Sequence, residues 1–269
     1  MWEKITVIIL AALQVFFWNG VRFGEGESEV IIWEGTRSFK PELGIVPPVP
    51  RPETVKALSL GDEQFYFRQA AFRLQNAGDT FGRVTSLKNY DYSALYQWWK
   101  ILDSLDAKSD FTPSLVSYYY GSSQDAKSHV PYVVKYLHEH GASDPERKWW
   151  WYSQAVYHAK HRLKDNDLAL EIATEMAQKV PKGVAPLWVY QMPAFILEDK
   201  GEYKAACDII LNIIDTYNDV TQGEQNFMNH FLEERIGALV ANEDKIDKSQ
   251  FDPRCLFAIE KHKEINALQ

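Results

Sequence analysis

The sequence predicts an all-α fold of antiparallel helix hairpins, preceded by an N-terminal membrane-anchor helix. Three observations predict it. From Asp62 onward apolar residues recur at helical spacing, and alternating strand-like runs are lacking. Glycines and prolines interrupt that pattern at hairpin intervals. An apolar run, Ile5 to Phe17, stands near the start of the chain.

Composition bounds the rest. With 269 residues the chain is long enough for one extended helical array or two small domains, and its 46% hydrophobic content can fill a core. A formal net charge of -8 argues against nucleic acid as the main partner. Cys207 and Cys255 are the only cysteines, so no disulfide framework is implied. Two buried thiols are expected, with a single bridge between them as the alternative.

Residues 1–24 are read as the anchor. The run from Ile5, extended to Phe23, is just long enough to cross a bilayer core, though Asn19, Gly20 and Arg22 weaken its end. No clean small-residue cleavage site follows, so an uncleaved anchor is favoured over a signal peptide. Lys4 precedes the span and Arg22 follows it, so the positive-inside rule says little about orientation. The bulk of the chain is placed outside the cytoplasm, on the periplasmic side of a bacterial inner membrane, from the usual behaviour of short N-terminal anchors.

Residues 25–61 form a Pro-rich stalk. Val46-Pro-Pro-Val-Pro-Arg-Pro predicts extended polyproline II, a semi-rigid spacer. Residues 62–269 form the helical domain. Asp62 caps a helix to Asn76, and Gly78 ends it. Gly78 to Tyr90 is a long connection for two packed helices. Tyr92 to Leu105 returns, with Leu95, Trp99 and Leu102 facing inward. Thr112 or Pro113 opens the next helix, which ends near Gly121. Its return runs to His140 with Gly141 as the stop, and Pro131 either starts it or kinks it. Asp144-Pro145 opens a helix through Trp149-Trp-Trp-Tyr to Leu163. Asp167 to Val180 returns to Pro181. Pro186 opens a helix to Lys200, with Pro193 predicting a kink or a late start. Thr221 or Gly223 to Ala241 and Pro253 to Ile265 cap the array.

The clearest hairpin is Leu197 to Ile214. Gly201 supplies a left-handed turn, Tyr203 plugs it, and Ala206 lets two helix backbones close up. Ile210, Ile213 and Ile214 follow at helical spacing. Leu95, Val133, Ala169 and Ala206 occupy the corresponding position of successive hairpins, separated by 38, 36 and 37 residues. Ala194, Leu197, Gly201, Tyr203 and Ala206 stand at the spacing of a tetratricopeptide (TPR) repeat, and Asp144-Pro145 and Pro181 match its terminal proline. The stretch from about Asp62 to Val220 therefore resembles a TPR-like α-solenoid, although Val133 and Leu95 replace the small residue of the pattern. The resemblance implies a right-handed stack whose first helices line a groove for a protein or peptide partner.

Within that groove, helical spacing nominates Tyr118, Tyr119, Trp149, Tyr152, Trp188 and Gln191 as partner contacts. Phe81 and Arg83 are nominated from the long loop, Arg83 as a charge that could grip a carboxylate. The continuous runs Phe65-Tyr-Phe, Tyr118-Tyr-Tyr and Trp149-Trp-Trp-Tyr cannot face one way on a helix, so each divides between core and surface. His158 and His161 share a face, but no His-Glu-x-x-His or paired-Cys motif supplies further metal ligands. No phosphate loop, nucleophile elbow or dinucleotide fingerprint occurs. The reading is a membrane-tethered adaptor without enzymatic activity, catalytic residues, metal or cofactor. A structural subunit packed permanently in a membrane complex is the alternative, and an enzyme with a His-based site the third choice.

Overall fold

The computed structural model describes residues 44–80, 83–242, 248–257 and 260. The anchor over residues 1–24 and the stalk as far as residue 43 lie outside them. Among the described residues no helix is long and apolar enough to cross a membrane. Regular structure there is helical, apart from one antiparallel pairing of two-residue strands, Asp79–Thr80 with Arg83–Val84.

The Pro-rich stretch forms no helix or strand over residues 47–51, and it does not stand clear of the helices. Pro47 is buried, and its carbonyl accepts a hydrogen bond from Trp98 Nε1 at 2.8 Å. Ile45 and Val46 pack on the core beside it. The rest of the expected spacer also differs, because Pro52–Leu58 form a helix (α1). Proline is suited to that first turn, where its missing N–H has no intrahelical acceptor to lose.

Side-chain caps explain five of the helix starts. Asp62 accepts from the Phe65 amide and opens Glu63–Gln75 (α2), and Asp91 accepts from Ala94 and opens Tyr92–Leu105 (α3). The long connection between them is closed by its own bonds. The Thr85 amide and hydroxyl both donate to the Gly78 carbonyl, at 3.2 and 3.0 Å, and the buried Tyr90 hydroxyl donates to Ala77. Phe111–Ser114 (α4) continues through a π turn at Leu115–Tyr119 and a 3-10 turn to Ser122. Ala126–Ala142 (α5) is capped by Asp125 and holds Pro131 inside it. The helix thus begins before that proline, and it continues past Gly141, the expected stop. Pro145–Tyr157 (α6) runs on as a π segment, His158–Leu163, and ends at Lys164 in left-handed backbone. Asn166–Lys179 (α7) is capped by Asp165.

Leu187–Asp199 (α8) and Tyr203–Thr216 (α9) form the hairpin at Gly201. Gly201 has φ +77, the Glu202 amide donates to the Leu197 carbonyl at 2.8 Å, and the Gly201 amide to Glu198 at 2.9 Å. These two bonds are a Schellman motif, which satisfies carbonyls left open at the helix end. Ala206 is fully buried, as are Ile210 and Ile213. Gln222–His230 (α10) begins with a Thr221–Glu224 capping box and continues as a π segment, Phe231–Ile236, into Gly237–Asn242 (α11). Of the last expected helix, residues 253–257 are described and are helical.

From α5 to α9 each helix packs on the next in sequence. Polar side-chain links across helices span separations from 32 to 43 residues. Asp103–His140, Ser117–Gln154, His138–Glu175 and Glu198–Arg235 are each 37 residues apart, and Lys100–Glu139 and Asp215–Arg254 are each 39 apart.

Cys207 and Cys255 are buried and joined by a disulfide, which corrects the expectation of two thiols. The packing that brings residue 255 back onto α9 is tertiary and leaves no local mark in the sequence. Beside it Arg254 makes a two-pronged ion pair with Asp215, at 2.8 and 3.1 Å. Closing a loop of 48 residues contributes about 4 kcal/mol by constraining the unfolded chain.

Two helices approach closely at Gly141. A Cβ placed there would lie 2.5 Å from the Cβ of Tyr152 and 2.7 Å from its Cα. Both are parts of the packed scaffold, so neither can swing aside. Gly141→Ala is therefore expected to destabilise the protein by about 1–3 kcal/mol, the cost of overpacking. Gly223→Ala, where an added Cβ meets nothing within 4 Å, should be neutral or slightly stabilising. Urea unfolding of the two variants tests this, and equal effects would show that the α5–α6 contact is not tight.

Candidate functional site: an aromatic ridge

Two helices present matching outward stripes. On α6 and the π segment that continues it these are Trp150, Gln154, Tyr157 and His161; on α8 they are Trp188, Met192, Phe195 and Asp199. Both sets follow i, i+4, i+7, i+11 spacing, the outer line of a helix whose other sides are packed. The stripes lie side by side. At one end the Trp188 ring stands edge-on to Trp149 and Trp150, with centroids at 5.9 and 6.5 Å. At the other end Lys160 pairs with Asp199. Tyr118 extends the surface beyond α6, accepting a hydrogen bond from Trp150 Nε1 at 3.2 Å. Phe195, 5.8 Å from Phe227, extends it onto α10. Tyr118 is 59% exposed, Trp150 41% and Trp188 36%, so large aromatic area faces outward in one continuous ridge.

The ridge stands on buried neighbours. Trp151, next to Trp150, is buried and donates from its indole to Asp110 at 2.7 Å, and its ring packs edge-on to Tyr118. Of the residues nominated from sequence, Tyr118, Trp149 and Trp188 come together here. Tyr152 and Gln191 do not, because both are buried. Tyr152 is turned toward Gly141 on α5, and Gln191 is three residues from Trp188 where the outward line advances by four. Tyr119 is half-buried and packs edge-on to Tyr120, away from the ridge rings. Phe81 and the side chain of Arg83 lie outside the described residues. Sequence reasoning missed Trp150, since the run of four aromatics gives no phase for the helix. The phase is set by the close approach at Gly141.

Behind the ridge lies a polar cluster. Ser117 Oγ is 3.1 Å from His158 Nε2 and 3.3 Å from Gln154 Oε1. It resembles the nucleophile and base of a hydrolase in composition only. Ser117 and His158 are both buried, and His158 Nδ1 has no hydrogen-bond partner among the described residues, so no third group orients the ring. Ser117 can donate to Gln154 while His158 donates to Ser117, an arrangement that ties α4 to α6. Gly121 makes room for the ring, since a Cβ there would lie 2.5 Å from His158 Cε1. The expected pairing of His158 with His161 on one face is absent. His161 is exposed beside Tyr157, because the wider π turn rotates the two apart. Among the described residues no group of three or more His, Cys, Asp or Glu side chains could hold a metal ion.

Burial, aided by the nearby Arg162 charge and opposed by the bond to Ser117, pulls the His158 pKa down to about 4. The folded protein therefore binds fewer protons than the unfolded chain, whose histidines titrate near 6.5. Stability from this group is complete above about pH 6.5 and is lost as the pH falls toward 4. The loss amounts to at most about 3 kcal/mol. His129, lowered by its own burial, adds a loss of the same sign. Urea unfolding at pH 7 and pH 4.5 should show a smaller difference for His158→Gln than for the unaltered protein. An unchanged difference would remove His158 from this account. No protein-family model, curated protein or solved structure matches the chain.

Proposed function

We propose that this protein is a membrane-tethered, TPR-like adaptor whose aromatic ridge holds a protein or peptide partner in an envelope-associated assembly. The observation that carries the reading is the ridge itself, where Tyr118, Trp150 and Trp188 lie outward and adjacent on three successive first helices. Exposed tryptophan and tyrosine anchor many interfaces, because they bury large area with few rotatable bonds. The packing of each helix from α5 to α9 on the next in sequence supports a solenoid of hairpins, the architecture in which such first helices share one face. The disulfide between Cys207 and Cys255 supports an oxidising location such as the periplasm. The apolar run at Ile5 to Phe17 supports the tether.

A second reading, a structural subunit packed permanently in a membrane complex, is favoured by another set of residues. Leu60, Phe72 and Val84 are 83%, 69% and 77% exposed and belong to the first hairpin rather than the ridge. A permanent subunit would bury them, and the isolated protein would then aggregate.

The double variant Trp150→Ala/Trp188→Ala separates function from folding. It should stay folded with a modestly lowered melting temperature, since the two rings are 41% and 36% exposed and give up part of their packing, yet lose its partner on affinity capture from native membranes at a temperature well below melting. Partner recovery at the unaltered level would overturn the ridge as the binding surface.

A further inference from the structure

Exposed apolar surface is not spread evenly over the molecule. Among the described residues the three most exposed large apolar side chains are Leu60, Val84 and Phe72, and all three belong to the first hairpin or the turn that opens it. Phe65 is exposed two turns before Phe72 on α2, so the two mark one outward line of that helix, with Arg68 exposed between them. None of these apolar side chains belongs to the ridge or packs on the core. Leu60 is also held outward at a cost. Its φ is +50, left-handed backbone that glycine enters freely and leucine does not, and Gly61 continues the turn at φ +84. A strained position kept by a bulky apolar residue outside the core points to a use outside the fold.

Charge divides the chain at the same place. Residues 51–110, which span α1 to α3 and their flanks, hold eight basic and eight acidic residues, so the formal net charge of -8 rests entirely on the rest of the chain. A surface of anionic lipid therefore repels the rest of the molecule and not this hairpin. The hairpin also follows the apolar run closely. Residues 24–43 separate the end of the expected anchor span from Gly44, the first described residue. At full stretch they reach about 70 Å, so an anchored chain keeps this hairpin near the bilayer at high effective concentration.

We infer that the first hairpin seats on the lipid surface. Leu60, Phe65 and Phe72 enter the boundary between headgroups and acyl chains, and Arg68 lies at the level of the lipid phosphates. The inference rests on the proposed tether and adds a second membrane contact to it. A few apolar side chains hold lipid only weakly by themselves, and the tether makes that sufficient. Charge and place in the chain together select lipid as the occupant.

The test places single fluorescent labels on the full-length protein. Both cysteines of the chain are joined in the Cys207–Cys255 disulfide, so one added cysteine takes one nitrobenzoxadiazole label. Labels at Leu60→Cys, Phe72→Cys and Gly223→Cys, the last where an added Cβ meets nothing, are compared in vesicles of phosphatidylethanolamine and phosphatidylglycerol. Part of the lipid carries a nitroxide near the headgroup. It should lower emission about twofold or more at the first two sites and leave the third nearly unchanged. Leu60→Gly should melt no lower than the unaltered protein and should weaken quenching of the label at Phe72→Cys. Protein retained after carbonate washing but unquenched at the first two sites overturns the proposal and leaves the tether standing. Blue-shifted emission there without quenching also overturns it, because the cover is then protein. Equal quenching at all three sites overturns it as well. Protein that washes off the vesicles removes both the tether and this contact. A lower melting temperature for Leu60→Gly would show that Leu60 serves the fold and overturn its assignment to lipid.

Discussion

The contact on which the architecture turns is the meeting of Gly141 with Tyr152. With no side chain at 141, the backbone of α5 comes against the first atoms of the Tyr152 side chain. That fixes the rotation of α6 about its axis. Tyr152 and Trp151 are then carried inward, and Trp150 is left outside. The neighbouring hairpin repeats the arrangement with Trp188 outward and Val189 and Tyr190 buried. A helix interior ordinarily disfavours glycine by about 1 kcal/mol. Here the close packing it permits offsets that cost.

Four of the first helices share a second feature. Those starting at Phe111, Pro145 and Gln222 each widen into a π segment, at Leu115–Tyr119, His158–Leu163 and Phe231–Ile236. The fourth, α8, carries Pro193 inside it, which removes a backbone hydrogen bond; α2 has neither. Each departure from α geometry shifts the outward line of the helix. In α4 and α6 it also brings Ser117 and His158 together across the helix pair. Between α8 and the π segment after α10, Glu198 and Arg235 meet, with Arg235 lying over the Phe195 and Phe231 rings.

Much of this was legible in the residues. Asp62, Asp91 and Asp165 are short acceptors at helix starts, and Gly201 takes the left-handed turn that ends α8, so local chemistry marks those boundaries. The hairpin spacing emerges from the same marks. Three features were not legible, each for a tertiary reason. The Pro47 segment docks because Trp98, 51 residues away, offers a donor in a buried setting. Cys207 meets Cys255 because the chain beyond α10 folds back onto α9. The choice among Trp149, Trp150, Trp151 and Tyr152 depends on the neighbour at Gly141, and the run itself favours no phase. Tyr118, Trp149 and Trp188 of the six nominated groove residues sit on the ridge, while Tyr152 and Gln191 are buried and Tyr119 packs on Tyr120.

The account makes the outward ridge the working surface of the molecule, and hydroxyl-radical footprinting tests that most directly. Oxidation of each tryptophan and tyrosine would be measured by mass spectrometry, on the purified full-length protein and on the protein in its native membranes. In the purified protein Trp150, Trp188 and Tyr118 should oxidise readily, and Trp99 and Tyr152, both fully buried, should not. In native membranes the first three should become protected while Tyr157, farther along the same helix, changes less. Equal oxidation of Trp150 and Trp188 in both settings, or ready oxidation of Trp99 and Tyr152 in the purified protein, would contradict it.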